Sequence, residues 1–302
     1  MNIKELNITH GIAGQLKFFE GKGGLPFIQI TNAKARALIS IYAGQVLSFQ
    51  APNESDDLMF LSEKAYYQTG KAIKGGAPIC WPWFGAHPTD GSFCPHGFAR
   101  VIPWRINDVI DLENGATKVT LVMLPTPEVN RQLSYQFNLE FSITIGHSIH
   151  LDLKTTNLSE QPFLIGEGYH TYFKISDIEN IEITGLEDKI YSDKARGYKK
   201  FTQDEGIEFR EEFDRIYLNT KDDCIIHDQG FNRKITVKKK NSDSTVIWTP
   251  WDKKVKTMAD MGTEDEWKKM ICVESVNALE SSVMVYPNQS HNLIAEYLVQ
   301  EY

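Results

Sequence analysis

Apolar residues at every second position constrain this chain more than any other feature. Phe137, Leu139, Phe141, Ile143 and Ile145 alternate with polar neighbours, and beyond Gly146-His147-Ser148 the residues Ile149, Leu151 and Leu153 continue the pattern. Side chains of an extended strand point to opposite faces in turn, so two such runs across a short turn predict an antiparallel hairpin. Ala35-Ala37-Ile39-Ile41, Val119-Leu121-Met123, Ile235-Val237 and Leu293-Ala295-Tyr297-Val299 repeat the period. Asn241-Ser242-Asp243-Ser244 reads as a turn joining two further strands. Helix is scarce. The best candidate is TEDEWKKM, where Thr263 and Glu266 suggest a capping box and Lys268 and Lys269 would sit near the negative end of the dipole. Many short strands with few helices make the expected class all-β, a sandwich of antiparallel sheets. No repeat, low-complexity tract or long linker divides the sequence, so a single domain over residues 1–302 is the simplest organisation.

With 41% hydrophobic and 24% charged residues, the chain is composed like a soluble globular protein that can bury its core without staples. A formal charge of −8 disfavours nucleic acid and anionic membrane as partners. A small anion would need a local cationic pocket working against that field. No apolar run approaches the ~18 residues of a membrane span, and MNIKELNITHGIAGQLKFF lacks the apolar core of a signal peptide. Cys80, Cys94, Cys224 and Cys272 are irregularly spaced and read as free thiols, which gives a cytoplasmic expectation.

One segment suits neither strand nor helix. GGAPICWPWFGAHPTDGSFCPHGFAR, from Gly75 to Arg100, combines a double glycine, stiffening prolines and flat aromatic faces in Trp81, Trp83 and Phe84. Lys74 and Arg100 bracket it with positive charge. A rigid structural loop with core aromatics would use the same residues. A metal site is the weaker reading, because Cys80, His87, Cys94 and His96 lack the paired short spacings of structural zinc.

KGGAPICWPWFG followed by PHGFAR resembles the phosphate-sugar branch of the aldose 1-epimerase (mutarotase) family, the glucose-6-phosphate 1-epimerases or hexose-6-phosphate mutarotases. FDRIY and the blocks HTYFKISDIENIEITGLEDKIYSDK and WTPWDKKVKTMADMGTEDEWKKMICVESVNAL follow the family's order. The resemblance implies a galactose-mutarotase-like β-supersandwich and an epimerase that interconverts the α and β anomers of a hexose 6-phosphate, with glucose 6-phosphate foremost.

That chemistry opens a sugar ring and closes it on the other face. A base takes the proton of the anomeric hydroxyl while an acid protonates the ring oxygen. There is no redox change, so no nicotinamide or flavin is required, and no metal is needed either; the expected cofactor set is none. The resemblance implies His170 as the acid at the ring oxygen and Glu274 as the base at O1. Histidine exchanges protons near neutrality. Glutamate would gain from the dehydration expected at the end of the apolar run Met270-Ile271-Cys272-Val273, on one face with Cys272 and Met270. His96 is implied as a hydrogen-bond partner of the ring or anomeric oxygen and Asp214 as an acceptor for sugar hydroxyls, while Trp83, by its residue type, offers a flat face to cover a sugar's C–H surface. Arg100 would grip the phosphate through two N–H bonds. Lys74 stands where the family carries arginine and lacks the planar fork, Pro95 replaces a polar ligand, and Lys71 is a possible substitute. An epimerase for unphosphorylated aldoses and a non-catalytic carbohydrate-binding protein remain alternatives. Neither the preferred hexose nor the oligomeric state can be read from the sequence.

Overall fold

The computed structural model of the chain describes residues 2–52, 54–123, 125–263 and 265–302. Two eight-stranded sheets dominate it, and every pairing between their named strands is antiparallel. The first sheet contains the expected hairpin. Phe137–Ile145 pairs with Ser148–Asn157 in a register that sets Phe141 against Leu153 and Ile143 against Leu151. Its apolar positions are buried one by one along the strand, as the period demands. Thr117–Met123, Arg233–Lys240 and Ser290–Glu301 fill out the same sheet.

The second sheet runs from Lys199–Thr202 through Ile190–Asp193, Phe213–Leu218, Ser244–Thr249 and Met270–Asn277 to Glu167–Tyr169 and Ile79–Cys80. The two sheets share a core. Phe173 and Tyr297 meet edge to face at 5.1 Å, the Tyr169 hydroxyl donates to the Leu293 carbonyl, and the Thr171 and Tyr297 hydroxyls lie 2.6 Å apart. Asn241–Ser244 is therefore a crossing rather than a hairpin, since it leaves the first sheet at Lys240 and enters the second at Ser244. A four-stranded sheet made from Leu16–Glu20, Pro26–Thr31, Arg36–Ser40 and Gln45–Gln50 completes the architecture, with a two-stranded pairing of Phe163–Ile165 and Val283–Val285.

The helix expected over TEDEWKKM shrinks to a 3-10 turn, Glu266–Lys269, and the capping box does not form; Glu264 lies outside the described residues. The Glu266 carboxylate instead accepts from the Ser62 hydroxyl and the Glu63 backbone N–H, both at 2.8 Å. A distant loop offered donors that a local cap would have left unsatisfied. The helix Ile3–His10, capped by the Asn2 side chain, gave no sequence signal because it buries none of its residues. No helix among the described residues is long and apolar enough to cross a membrane.

Candidate active site

Strand register builds the floor of the site. Val246 lies opposite Glu274, and Ile216 opposite Val246. One step along, Asp214, Trp248, Cys272 and Tyr172 make the next row. Pairing along Met270–Asn277 breaks between Tyr169, opposite Ser275, and Tyr172, opposite Cys272. His170 falls in that break, beside Glu274, with its backbone N–H held by the Pro78 carbonyl at 2.9 Å. Pleating sends these even-numbered side chains to the face away from the shared core. Cys272 is buried and stays out of the lining; the others line a cavity of about 420 Å³ together with Lys74, Phe84, His96, Arg100, Lys194 and Lys254. That volume suits a small ligand.

The loop before Arg100 closes one wall. His96 takes φ +66°, a left-handed conformation costing roughly 1–3 kcal/mol for a non-glycine residue. Gly97 follows at φ +75°, where a Cβ would lie 1.9 Å from the Trp81 carbonyl oxygen, so only glycine fits. This turn aims His96 into the cavity, 5.4 Å from His170 between ring centres. The Gly85 N–H donates to His96 Nδ1 at 3.4 Å. The Cys80 thiol also approaches Nδ1 at 3.4 Å, and two such donors at Nδ1 favour the tautomer with its proton on Nε2.

His170 Nδ1 lies 3.3 Å from Glu274 Oε1. The two are not aligned as a hydrogen bond, and both His170 Nδ1 and Glu274 Oε2 are buried without a hydrogen-bond partner. Buried polar atoms are otherwise nearly always paired, so two orphans facing one cavity mark a site. Burial pushes the Glu274 carboxyl well above the usual carboxylate range, and the neighbouring Asp214 adds to the effect. Burial likewise holds His170 well below the usual imidazole value, helped by the positive charges of Arg100 and Lys74. The two proton affinities therefore move toward each other. Both shifts favour the neutral pair, carboxylic acid and imidazole, over the ionised one.

Charge around the rim is mostly spent on internal pairs. Lys74 lies 3.2 Å from Asp260, and Asp214 is flanked by Lys194 at 3.3 Å and Lys254 at 3.7 Å. Arg100 differs. Among the described residues it has no carboxylate partner; one NH2 donates to the Pro95 carbonyl and its buried Nε has no partner. Pro95, unable to offer a side chain, contributes its carbonyl to orient the guanidinium. Lys71 is exposed and absent from the lining.

The expected residues Lys74, His96, Arg100, His170, Asp214 and Glu274 converge on this one cavity, and Trp83 does not. Trp83 packs within its own loop, 4.5 Å from the His87 ring, with its indole N–H donating to the Cys94 carbonyl. Trp248, Tyr172 and Phe84 supply the aromatic wall instead. Trp248 stood within a quoted motif, yet only the cross-strand register reveals that it faces the site. Lys194 and Lys254 also stood within quoted motifs, but a lone lysine reads as solvated charge, and only the fold turns them toward the cavity.

A strand-rich sandwich whose imidazole and carboxyl face one cavity is an arrangement able to exchange protons with a small polar substrate. The sequence model of the family described as aldose 1-epimerase matches residues 26–298, and the chain belongs to that family; it is an isomerase. A protein of Cenchrus ciliaris, provisionally named glucose-6-phosphate 1-epimerase, is 38% identical over 262 residues, covering 84% of this chain and 78% of the relative. One from Escherichia coli with the same provisional name is 30% identical over 268 residues, 88% of each. The crystal structure of a provisionally named mutarotase from Salmonella typhimurium superposes with a TM-score of 0.89 at 26% identity, over 97% of this chain and 96% of the other. A galactose mutarotase-like protein of Clostridium acetobutylicum, with a TM-score of 0.73 at 15% identity over 95% and 98%, shares the fold.

Proposed function

We propose that this protein interconverts the α and β anomers of hexose 6-phosphates, glucose 6-phosphate first among them. The observation that carries the reading is the His170–Glu274 contact, 3.3 Å across, in a cavity that also holds Arg100, which has no carboxylate partner among the described residues. O1 and the ring oxygen of a pyranose are bonded to the same carbon, so their acid and base must be neighbours, and these are.

In the forward direction ionised Glu274 takes the proton from the anomeric hydroxyl as protonated His170 gives one to the ring oxygen. The C1–ring-oxygen bond breaks and C1 becomes an aldehyde. The pair ends as carboxylic acid and neutral imidazole, the distribution that burial favours. Rotation about C1–C2 presents the other aldehyde face, and the same proton transfers run backwards. One proton enters the sugar as one leaves, so nothing is drawn from solvent. General acid–base catalysis of this kind is worth about 10²–10⁴-fold. His96 Nε2–H and Asp214 are positioned to hold the sugar's oxygens and hydroxyls, and Arg100 to receive the phosphate. The substrate in the names of these relatives supports the ester over the free sugar.

Magnetisation-transfer NMR on glucose 6-phosphate tests the reading: anomer exchange faster than in buffer is expected, and no acceleration overturns it. Arg100→Ala should raise KM for the phosphate ester at least about tenfold and leave free glucose unaffected. If free glucose is turned over as well as the ester and Arg100→Ala changes nothing, the protein is an epimerase of unphosphorylated sugars. Tight binding without exchange would make it a carbohydrate-binding protein.

A further inference from the structure

Beside the acid–base pair lies a thiol that anomer exchange does not use. Cys272 is wholly buried on Met270–Asn277, on the same face as Glu274. His170, Cys272 and Glu274 each offer one ligand atom, and these atoms all lie within 4.8 Å of one another. A buried cysteine by itself packs as a small apolar residue. Here, however, its neighbours present two buried atoms without partners, His170 Nδ1 and Glu274 Oε2. Imidazole nitrogen, thiolate sulfur and carboxylate oxygen together form a donor set that zinc takes readily. We propose that His170, Cys272 and Glu274 form a binding site for zinc or a cation of similar softness, which competes with the sugar for His170 and Glu274.

A tetrahedral site with bonds of ~2.0–2.3 Å holds its ligand atoms about 3.5 Å apart. The 3.3 Å between His170 and Glu274 already meets that spacing. The widest separation must contract by about 1 Å, a shift that side-chain rotation can supply. His170 and Glu274 line the cavity, from which water would supply the fourth ligand. Coordination sends the thiol proton, and any proton on Glu274, to solvent; no electron moves. A cation seated there occupies both groups that would shuttle protons, so a bound metal switches the site off. Metal binding stands independently of the activity, whereas inhibition rests on the epimerase reading.

Cobalt(II) is the probe. Its titration into the protein should produce thiolate-to-cobalt charge-transfer absorption in the near ultraviolet and the strong visible bands of a four-coordinate ion. Cys272→Ala should lose both. The same variant, whose altered side chain does not line the cavity, should keep anomer exchange while zinc inhibits it at least about tenfold more weakly. In the wild type, raising sugar phosphate should relieve the inhibition. A wild type without a thiolate band, a Cys272→Ala spectrum like the wild type's, or equal zinc sensitivity of the two proteins overturns the proposal. Should Cys272→Ala not fold, Cys272→Ser must lose the sulfur band by the same criterion. A protein with the cobalt spectrum and no exchange on any sugar, phosphorylated or free, would end the epimerase reading and leave the metal site standing.

Discussion

Glu274 is 1% exposed and its carboxyl is pushed up by burial, so the ionised form is the costly state of the folded chain. Between the ordinary carboxylate value of about 4.3 and the raised folded value, the folded protein holds a proton that the unfolded chain has lost. Stability therefore falls as pH rises across that window. Glu274→Gln keeps the shape and removes the penalty. Anomer exchange should drop by about 10²-fold or more. By calorimetry its Tm should match the wild type's near pH 4 and exceed it near pH 8. A variant less stable at both values would show that the carboxylate is held ionised by contacts the present geometry lacks. His170 and Glu274 were legible in the sequence because each sits in a distinctive block. Trp83 misled for the opposite reason: a tryptophan in a proline-rich loop looks the same whether it faces a ligand or its own loop.

Elements set the positions that residues exploit. Glu167–Tyr169 delivers His170 to the bend, and it is pinned at its start. Glu167 is fully buried and accepts from the Asn277 amide at 2.9 Å, while His291 reaches from the other sheet to within 2.7 Å. Burial alone would lower the His291 pKa, but the close approach of the Glu167 carboxylate and its charge outweigh it, with Asp243 adding to the rise. A histidine raised in this way stabilises the fold fully below its unfolded value of about 6.5, and the contribution fades as pH climbs through the folded value. His291→Gln should thus lower Tm by more near pH 5.5 than near pH 9 in thermal melts. Equal losses at both would make the contact a packing one. The strands themselves were easy to read where one face is half-covered, as at Phe137–Ile145. Met270–Asn277 hides its period because it is buried on both faces along its whole length. TEDEWKKM promised a helix because local caps cannot reveal that Glu266 serves a distant loop.

Over the whole molecule, a formal charge of −8 repels anions while Lys74, Arg100, Lys194 and Lys254 gather at one cavity. Entry of a sugar phosphate is then a contest between the general field and the local one, and salt screens both over ~8–10 Å. The short-range attraction to Arg100 should dominate at contact. The expected result is that kcat/KM for glucose 6-phosphate falls with rising ionic strength, while any turnover of free glucose stays flat. A rise with salt would mean that the overall negative charge governs encounter. Sequence by itself determined the sheets, through a period that any strand must obey, and the glycines of the loop, through backbone angles and close approaches that side chains forbid. It also marked the family, since motifs are local strings. Only the tertiary structure decided that His170 stands against Glu274, that among the described residues Lys74, Lys194 and Lys254 have carboxylate partners while Arg100 has none, and that Trp248 replaces Trp83 at the wall. Burial and charge pairing depend on which distant segments meet, and no stretch of chain carries that information alone.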